Sequence, residues 1–160
     1  MGDRETCGAP EEAGCFMKII KDILANKGHE VYTIAADATV YEALSLMAEK
    51  NVGALVILEG ESLVGLISER DYARKIVLQG RLSKDTPVSE IMTTEPVTVT
   101  LDQDIEQCME LMTEKRVRHL PVVKEGRMVG IISIGDVVKG IIDHKEFVIQ
   151  ELHKYIKGQH

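Results

Sequence analysis

The sequence contains one segment twice. Residues 31–75 align without a gap with residues 96–140, and thirteen of these forty-five positions are identical. A duplication this regular indicates one supersecondary unit used twice, because a unit with one apolar face is stabilised by a copy that covers it. Two copies that bury a face against each other are related by a pseudo-twofold axis and create matched clefts. We therefore expect the functional site between the two repeats.

The composition is that of a globular protein with an excess of acidic residues. The 160 residues are 44% apolar, enough for one sizeable core or two small ones, and the formal net charge is −7. This charge argues against non-specific binding to nucleic acid, which needs a basic surface. It leaves room for a small anionic ligand, because positive residues gather in each repeat. These residues are Lys50, Arg70, Arg74 and Lys75, and Lys115, Arg116, Arg118 and His119.

Neither a membrane span nor a disulfide framework is indicated. No apolar run approaches the roughly 20 residues that a span requires, and residues 1–15 lack the features of a secretory signal, so we predict a cytoplasmic protein without a membrane partner. Three cysteines are too few and unpaired for a disulfide scaffold. Cys7 and Cys15 fit no common zinc spacing, and we predict no metal site. Cys108 lies in a helical apolar stripe, which predicts a core or pocket-wall residue rather than a nucleophile.

Each repeat has the pattern strand, helix, strand, strand, helix. This order predicts an α/β (α+β) fold built from two β-α-β-β-α units, with a hairpin turn of glycine and charged residues between the paired strands. The predicted paired strands are 54–58 with 63–68 in the first repeat and 119–123 with 128–133 in the second.

The first helix of each repeat has one apolar face. Asp37 and Asp102 precede these helices and are predicted to cap them. Segments 19–24 and 87–92 resemble each other and are interpreted as short lead-ins, each to its own repeat. The predicted buried positions are Val40, Leu44 and Met47, and Ile105, Met109 and Met112.

The C-terminal helix outlasts the repeat. Its apolar residues Val137, Ile141, Val148, Leu152 and Ile156 continue to about Lys157, either to pack back onto the protein or to form a dimer contact. The predicted domains are a polar N-terminal arm (1–16), repeat 1 (17–82), repeat 2 (83–143) and a helical extension (144–160).

Both returning strands end in the same motif. It runs from Gly65 through Ser68 to Asp71, and from Gly130 through Ser133 to Asp136. A hydroxyl, a carboxylate and free backbone N–H groups therefore meet at a strand-to-helix turn, where an anion is favoured and an aspartate can accept from sugar hydroxyls. In the alternative, structural interpretation, the serines are N-caps and the aspartates lie in the first helical turn. The repetition of glycine, serine and aspartate together favours a ligand role.

The chain resembles the cystathionine-β-synthase (CBS) domain pair, also called a Bateman module. The resemblance covers residues 17–143 and rests on the two Gly-x-x-Ser-x-x-Asp motifs, the run 116–123, the lead-ins and the tandem arrangement. The run 69–75 is similar to that of small stand-alone members. The resemblance implies two repeats packed sheet to sheet about a pseudo-twofold axis, often in a disc-like dimer, with adenosine-bearing ligands in the clefts.

The resemblance also implies site residues. One site would hold adenine against Ala38, Ala43, Val52, Gly53 and Ala54, ribose at Asp136, and phosphate at Ser133, Arg118 and His119. The mirrored site would use Asp71 and Ser68 with Gln103, Cys108, Val117 and the backbone of Arg118 and His119, and Arg70 or Arg74 could supply its missing charge. Gly53 and Ala54 stand where the second repeat has Arg118 and His119, so the sites are expected to differ in affinity. His119 has an alternative role as a packed core histidine.

We therefore predict a non-enzymatic sensor that binds AMP, ADP or ATP and signals to a partner protein. NADH and S-adenosylmethionine stay open as ligands, no cofactor is obligatory, and the partner is not identified by the sequence. The alternative is a dimerisation or protein-interaction module that needs no ligand. No Walker-type loop or nucleophile elbow is present, which argues against an enzyme. A homodimer is expected, through the C-terminal stripe and the apolar positions Ala43, Leu46, Tyr72, Ile76, Val138 and Ile142.

Overall fold

A computed structural model describes residues 19–157. The predicted N-terminal arm (1–16), with Cys7 and Cys15, lies outside these residues. The described helices are α1 (Ile20–Lys27), α2 (Val40–Lys50), α3 (Glu69–Tyr72), α4 (Ile105–Lys115) and α5 (Ile134–Ile156). The described strands are β1 (Ala54–Glu59), β2 (Ser62–Ser68), β3 (Thr93–Thr94), β4 (His119–Lys124) and β5 (Arg127–Ser133). A π-helical turn (Ala73–Val77) continues α3, and 3-10 turns cover Ser83–Asp85 and Val88–Glu90.

The strand order confirms the predicted mixed α/β fold. β1 and β2 form an antiparallel hairpin with β3 on the outer side of β2, and β4 and β5 form a second antiparallel hairpin. The first strand of each repeat is reduced to one parallel bridge, from Thr33 to Val56 and from Val99 to Val122. Gly60 has φ 66° and Gly126 has φ 81°, a left-handed conformation that suits glycine at a hairpin turn.

Helices α2 and α4 begin two residues later than predicted. Thr39 caps α2 with its hydroxyl on the Glu42 N–H, and Glu42 accepts in turn from the Thr39 N–H, each at 3.1 Å. Asp104 caps α4 by accepting from the Glu106 N–H at 2.8 Å. The prediction that Asp37 and Asp102 are the caps is wrong, because a Glu or Gln three residues downstream completes a reciprocal pair at the later positions.

Two compact units divide the chain, and their boundaries differ from those of the repeats. Among the described residues, unit 1 contains 19–29, 99–122 and 130–157. Unit 2 contains residues 30–98 and 123–129.

The lead-ins are exchanged between the repeats. In unit 1, the N–H groups of Ile20 and Lys21 donate to the carbonyls of Gln103 and Leu101 at 3.0 and 2.8 Å. In unit 2, the N–H of Val88 donates to the Ala38 carbonyl at 2.8 Å. The interpretation that each lead-in serves its own repeat is wrong, because the bonds of each segment go to the other repeat.

The exchange explains the glycine of the repeated motif. A Cβ atom on Gly130 would lie 2.8 Å from Leu24 Cδ1, and one on Gly65 would lie 2.5 Å from Met92 Sδ. Leu24 and Met92 end the two lead-ins, so each lead-in packs directly over the glycine of a returning strand. A side chain at Gly130 would require Leu24 to move, and one at Gly65 would require Met92 to move.

The buried faces of the two first helices form the cores. Val40 and Met47 of α2 and Ile105 and Met112 of α4 are buried, as predicted. Leu44 and Met109 are only partly buried.

Two positions predicted to be available for a dimer contact lie in the core. Ala43 and Ile76 are 0% and 2% exposed and belong to the apolar cluster of unit 2, so assigning them to a surface was wrong. Ala43 faces inward because it lies three and four residues from Val40 and Met47 on the same helical face.

Helix α5 confirms the predicted extension. It is one continuous helix of 23 residues, with Val137 and Gly140 buried near its start. Its exposed apolar residues include Val138, Ile142, Val148, Leu152 and Ile156.

Candidate functional site

The strand-to-helix turn at the start of α5 is a capping box. The Ser133 hydroxyl accepts from the Asp136 N–H at 3.2 Å, and Asp136 Oδ2 accepts from the Ser133 N–H at 2.8 Å. In unit 2 the Ser68 hydroxyl accepts from the Asp71 N–H at 3.3 Å, and Asp71 Oδ2 accepts from the Ser68 N–H at 2.9 Å. Both serines are N-caps, as the structural interpretation of the motif predicts.

Capping and packing together account for every fixed residue of the motif. The glycine admits a lead-in side chain, and the serine and aspartate satisfy each other's backbone N–H groups. Capping requires only the serine and the aspartate, and packing against a lead-in requires the glycine, so the repetition of all three residues does not by itself indicate a ligand role. A ligand role must be judged from the charged groups around these turns.

In unit 1, Lys27 contacts the carboxylate of the motif. Lys27 Nζ lies 2.7 Å from Asp136 Oδ2 and donates to the Ile131 carbonyl at 3.0 Å. The two side chains are 33% and 24% exposed, so the pair is accessible to solvent and to a ligand. Sequence reasoning missed Lys27 because it ends the lead-in helix α1, which was assigned to the other repeat. The available signal was the basic residue in the last turn of that helix.

Arg118 and His119 lie next to the same turn. The Ile134 N–H donates to the Arg118 carbonyl at 2.9 Å, which fixes the start of β4 against the start of α5. The Arg118 side chain is exposed and the His119 side chain is half-buried. Unit 1 therefore brings together Ser133, Asp136, Arg118 and His119 of the predicted set, and adds Lys27.

The surroundings of His119 favour its neutral form. Burial is the main cause that lowers its pKa below the ordinary 6.5, and the positive charges of Lys27 and Arg118 lower it further. The Asp136 carboxylate acts in the opposite direction. Near neutral pH the imidazole is thus uncharged, with one ring nitrogen that donates and one that accepts.

We expect a proton NMR titration of the His119 ring to give a midpoint below 6.5. Lys27→Met should raise this midpoint and Asp136→Asn should lower it, because each removes one of the opposing charges. A wild-type midpoint at or above 6.5 would contradict this environment.

The same shift makes stability depend on pH. The unfolded chain protonates His119 near pH 6.5 and the folded chain only at lower pH, so the contribution of His119 to stability falls as the pH drops below 6.5.

The remaining predicted residues of unit 1 have structural roles. Gln103 accepts from the Thr100 N–H through its side chain at 3.0 Å, and the Val117 N–H donates to the Met112 carbonyl at 3.1 Å. Cys108 is a buried free cysteine, as predicted for a core residue. Burial, with the nearby charge of Asp104, raises its pKa to about 11, which keeps the thiol protonated near neutral pH.

In unit 2, Gly53 and Ala54 lie beside the Ser68–Asp71 turn. The Glu69 N–H donates to the Gly53 carbonyl at 3.1 Å, in the way that Ile134 bonds to Arg118. Lys75 Nζ lies 3.4 Å from Asp71 Oδ1 and donates to the Ile91 carbonyl at 3.0 Å. Of the other predicted residues, Ala43 and Ala54 are buried, Ala38, Val52 and Arg70 are half-buried, and Arg74 is exposed.

The two units differ in charge as the sequence indicates. Gly53 and Ala54 carry no side-chain charge at the positions that Arg118 and His119 occupy in unit 1. The cation beside Asp71 is Lys75, four residues along the same chain segment, whereas the cation beside Asp136 comes from α1. The predicted pairing of groups from one repeat with groups from the other stays a prediction.

Residues 19–157 offer neither a metal-ligand cluster nor a membrane span. They contain no group of three or more His, Cys, Asp or Glu residues arranged to hold a metal ion. None of the helices in this part of the chain is both long enough and apolar enough to cross a membrane.

Comparison with known proteins identifies relatives over most of the chain. The sequence profile of the CBS domain matches residues 20–78 and 88–143. The CBS domain-containing protein CBSX3, mitochondrial, of Arabidopsis thaliana is 43% identical over 157 residues, which cover 92% of this chain and 76% of that protein. The compartment in that name belongs to the relative, and a cytoplasmic location for the present chain stays a prediction.

Solved structures have the same fold. The CBS-domain containing protein ATU1752 from Agrobacterium tumefaciens is 37% identical with a TM-score of 0.75, over 78% of this chain and 94% of that one. The CBS domain protein PAE2072 from Pyrobaculum aerophilum, complexed with AMP, is 27% identical with a TM-score of 0.66, over 74% of this chain and 88% of that one.

Proposed function

The chain belongs to the CBS-domain family, and from this premise we propose that it is a non-catalytic regulatory module that binds AMP, ADP or ATP and signals to a partner protein. The observation that carries the proposal is the group of side chains in unit 1. Lys27, Arg118, His119 and Asp136 lie around the start of α5, where the helix dipole also favours an anion.

Each member of this group suits a part of a nucleotide. The Asp136 carboxylate only accepts hydrogen bonds and can receive both hydroxyls of a ribose. Arg118 presents a planar set of donors that matches phosphate oxygens. His119 is uncharged near neutral pH and can donate one hydrogen bond to a phosphate without adding a charge. The arrangement therefore offers both a sugar contact and phosphate contacts within one unit.

The AMP complex of the Pyrobaculum aerophilum relative supports an adenine nucleotide as the ligand. In unit 2 of the present chain, the half-buried Val52 and Gly53 offer a small apolar surface and backbone amides that suit the face and edge of adenine, and the buried Ala54 follows them. We omit Ala43 from the proposed contacts, because its side chain has no accessible surface.

Titration calorimetry of the purified chain with AMP and with GMP tests the proposal. We expect AMP to bind roughly tenfold more tightly, because losing one or two base-edge hydrogen bonds costs about 1.4 kcal/mol. Equal affinities for the two nucleotides would contradict adenine recognition, and no binding of AMP, ADP or ATP would refute the function. Turnover of the nucleotide by a preparation free of contaminating activity would instead indicate an enzyme.

A second candidate function is a dimerisation or protein-interaction module that needs no ligand. The exposed apolar residues of α5, among them Ile149, Leu152 and Ile156, favour it, because such a stripe on a surface helix marks an interaction site. A homodimer is compatible with both functions. Unchanged assembly and partner binding in a variant that no longer binds AMP would favour this second function.

A further inference from the structure

Lys27 and Asp136 form an ion pair with each other. Lys27 Nζ donates to Asp136 Oδ2 at 2.7 Å, and the same oxygen accepts from the Ser133 N–H at 2.8 Å. A ribose that contacts both oxygens of this carboxylate therefore competes with Lys27 for Oδ2. A neutral nucleoside would have to displace the ammonium group and would offer it no other anion.

A phosphorylated nucleoside changes this balance. The positive charges of Lys27 and Arg118 both act on His119, so an anion beside this histidine is attracted by both side chains. The flexible four-carbon stem of a lysine lets its charge move between neighbouring acceptors. A phosphate that arrives with the ribose replaces the carboxylate as the anion that Lys27 contacts, and it contacts Arg118 as well.

We propose that Lys27 exchanges its Asp136 contact for the ligand's phosphate, and that it thereby selects phosphorylated nucleosides over free nucleosides at unit 1. This inference rests on the proposed function, since it assigns a specificity-determining role within the same site. Lys27 opposes any ligand that needs the Asp136 carboxylate and favours only a ligand that supplies a replacement anion.

The second unit provides a matched control. Lys75 also pairs with the aspartate of the motif and also donates to a backbone carbonyl. Its contact with Asp71 is longer, at 3.4 Å, and Gly53 and Ala54 replace the Arg118 and His119 that accompany Lys27. Lys75→Met therefore removes an equivalent charge and a similar exposed ion pair from a place without the companion groups.

The experiment measures the affinities of AMP and adenosine for the wild type, Lys27→Met, Lys27→Arg and Lys75→Met by titration calorimetry. In Lys27→Met we expect AMP to bind roughly tenfold or more weakly, as for a lost charge-assisted hydrogen bond, and adenosine to bind as well as before or better. Lys27→Arg should recover most of the AMP affinity. At the site that binds more tightly, Lys75→Met should leave the ratio of AMP affinity to adenosine affinity nearly unchanged.

The outcomes separate this inference from the proposed function. If the wild type binds AMP but Lys27→Met leaves the ratio of AMP to adenosine affinity unchanged, the inference fails and the function stands. An equal change of ratio in Lys75→Met would also overturn it, because the effect would then follow from net charge. If the wild type binds no adenine nucleotide, both fail. Loss of one exposed ion pair costs about 0–1 kcal/mol, so the variants are expected to fold.

Discussion

Asp136→Ala is expected to weaken AMP binding by roughly 10- to 150-fold. This range corresponds to about 1.5–3 kcal/mol, the contribution of a hydrogen bond to a charged group. The carboxylate is 24% exposed and accepts from the Ser133 N–H, which orients it towards the donors of a ribose. Titration calorimetry with AMP measures the effect.

The same substitution also removes half of the Ser133–Asp136 capping box of α5. Loss of a helix cap costs about 1 kcal/mol of stability by itself. Two further variants separate the two roles. Asp136→Asn keeps an oxygen that can accept from the Ser133 N–H but loses the charge, and we expect it to keep most of the stability and lose the affinity. Asp104→Ala removes the cap of α4 in the same unit and should lower stability alone. If denaturant unfolding shows that Asp136→Ala loses stability while the AMP affinity is unchanged, capping is the only role of Asp136.

The elements that sequence predicted well are those decided by local pattern. The two hairpins follow from β-rich runs around a glycine turn, and the buried faces of α2 and α4 follow from helical spacing at Val40 and Met47, and at Ile105 and Met112. The helix starts were misplaced by two residues, because an aspartate alone is a weaker signal than a cap with its reciprocal partner.

The features that sequence missed are decided by packing between distant segments. The exchange of the lead-ins follows from backbone bonds such as Lys21 to Leu101, which leave no pattern in either segment. Lys27 was missed for the same reason, since its partner Asp136 is supplied by a distant segment. Repeat alignment also suggested that the motif's glycine served a ligand, whereas the contact of Gly130 with Leu24 shows a steric requirement.

Leu152→Glu is expected to dissociate the homodimer that we predict for this protein. Leu152 is 56% exposed on α5, and the exposed residues Val138, Ile142, Ile149 and Ile156 lie in the same band of the helix at 3.6 residues per turn. Lys145 also lies in this band, where its methylene stem can cover apolar surface while its charge reaches water. A twofold axis through this band would place the two introduced carboxylates in one interface.

An uncompensated buried charge costs about 3–5 kcal/mol, so the dissociation constant should rise by roughly 150- to 4,000-fold. Light scattering at tens of micromolar should then report a monomer, while AMP binding persists if each chain holds its own sites. Gln150→Glu is the matched control, because Gln150 is also exposed but lies on the opposite side of α5 and should leave the dimer intact. A monomeric wild type at these concentrations would refute the dimer. A Leu152→Glu variant that stays dimeric would transfer the contact to the partly exposed Leu46 and Tyr72, because Ala43 and Ile76 are already covered by the core.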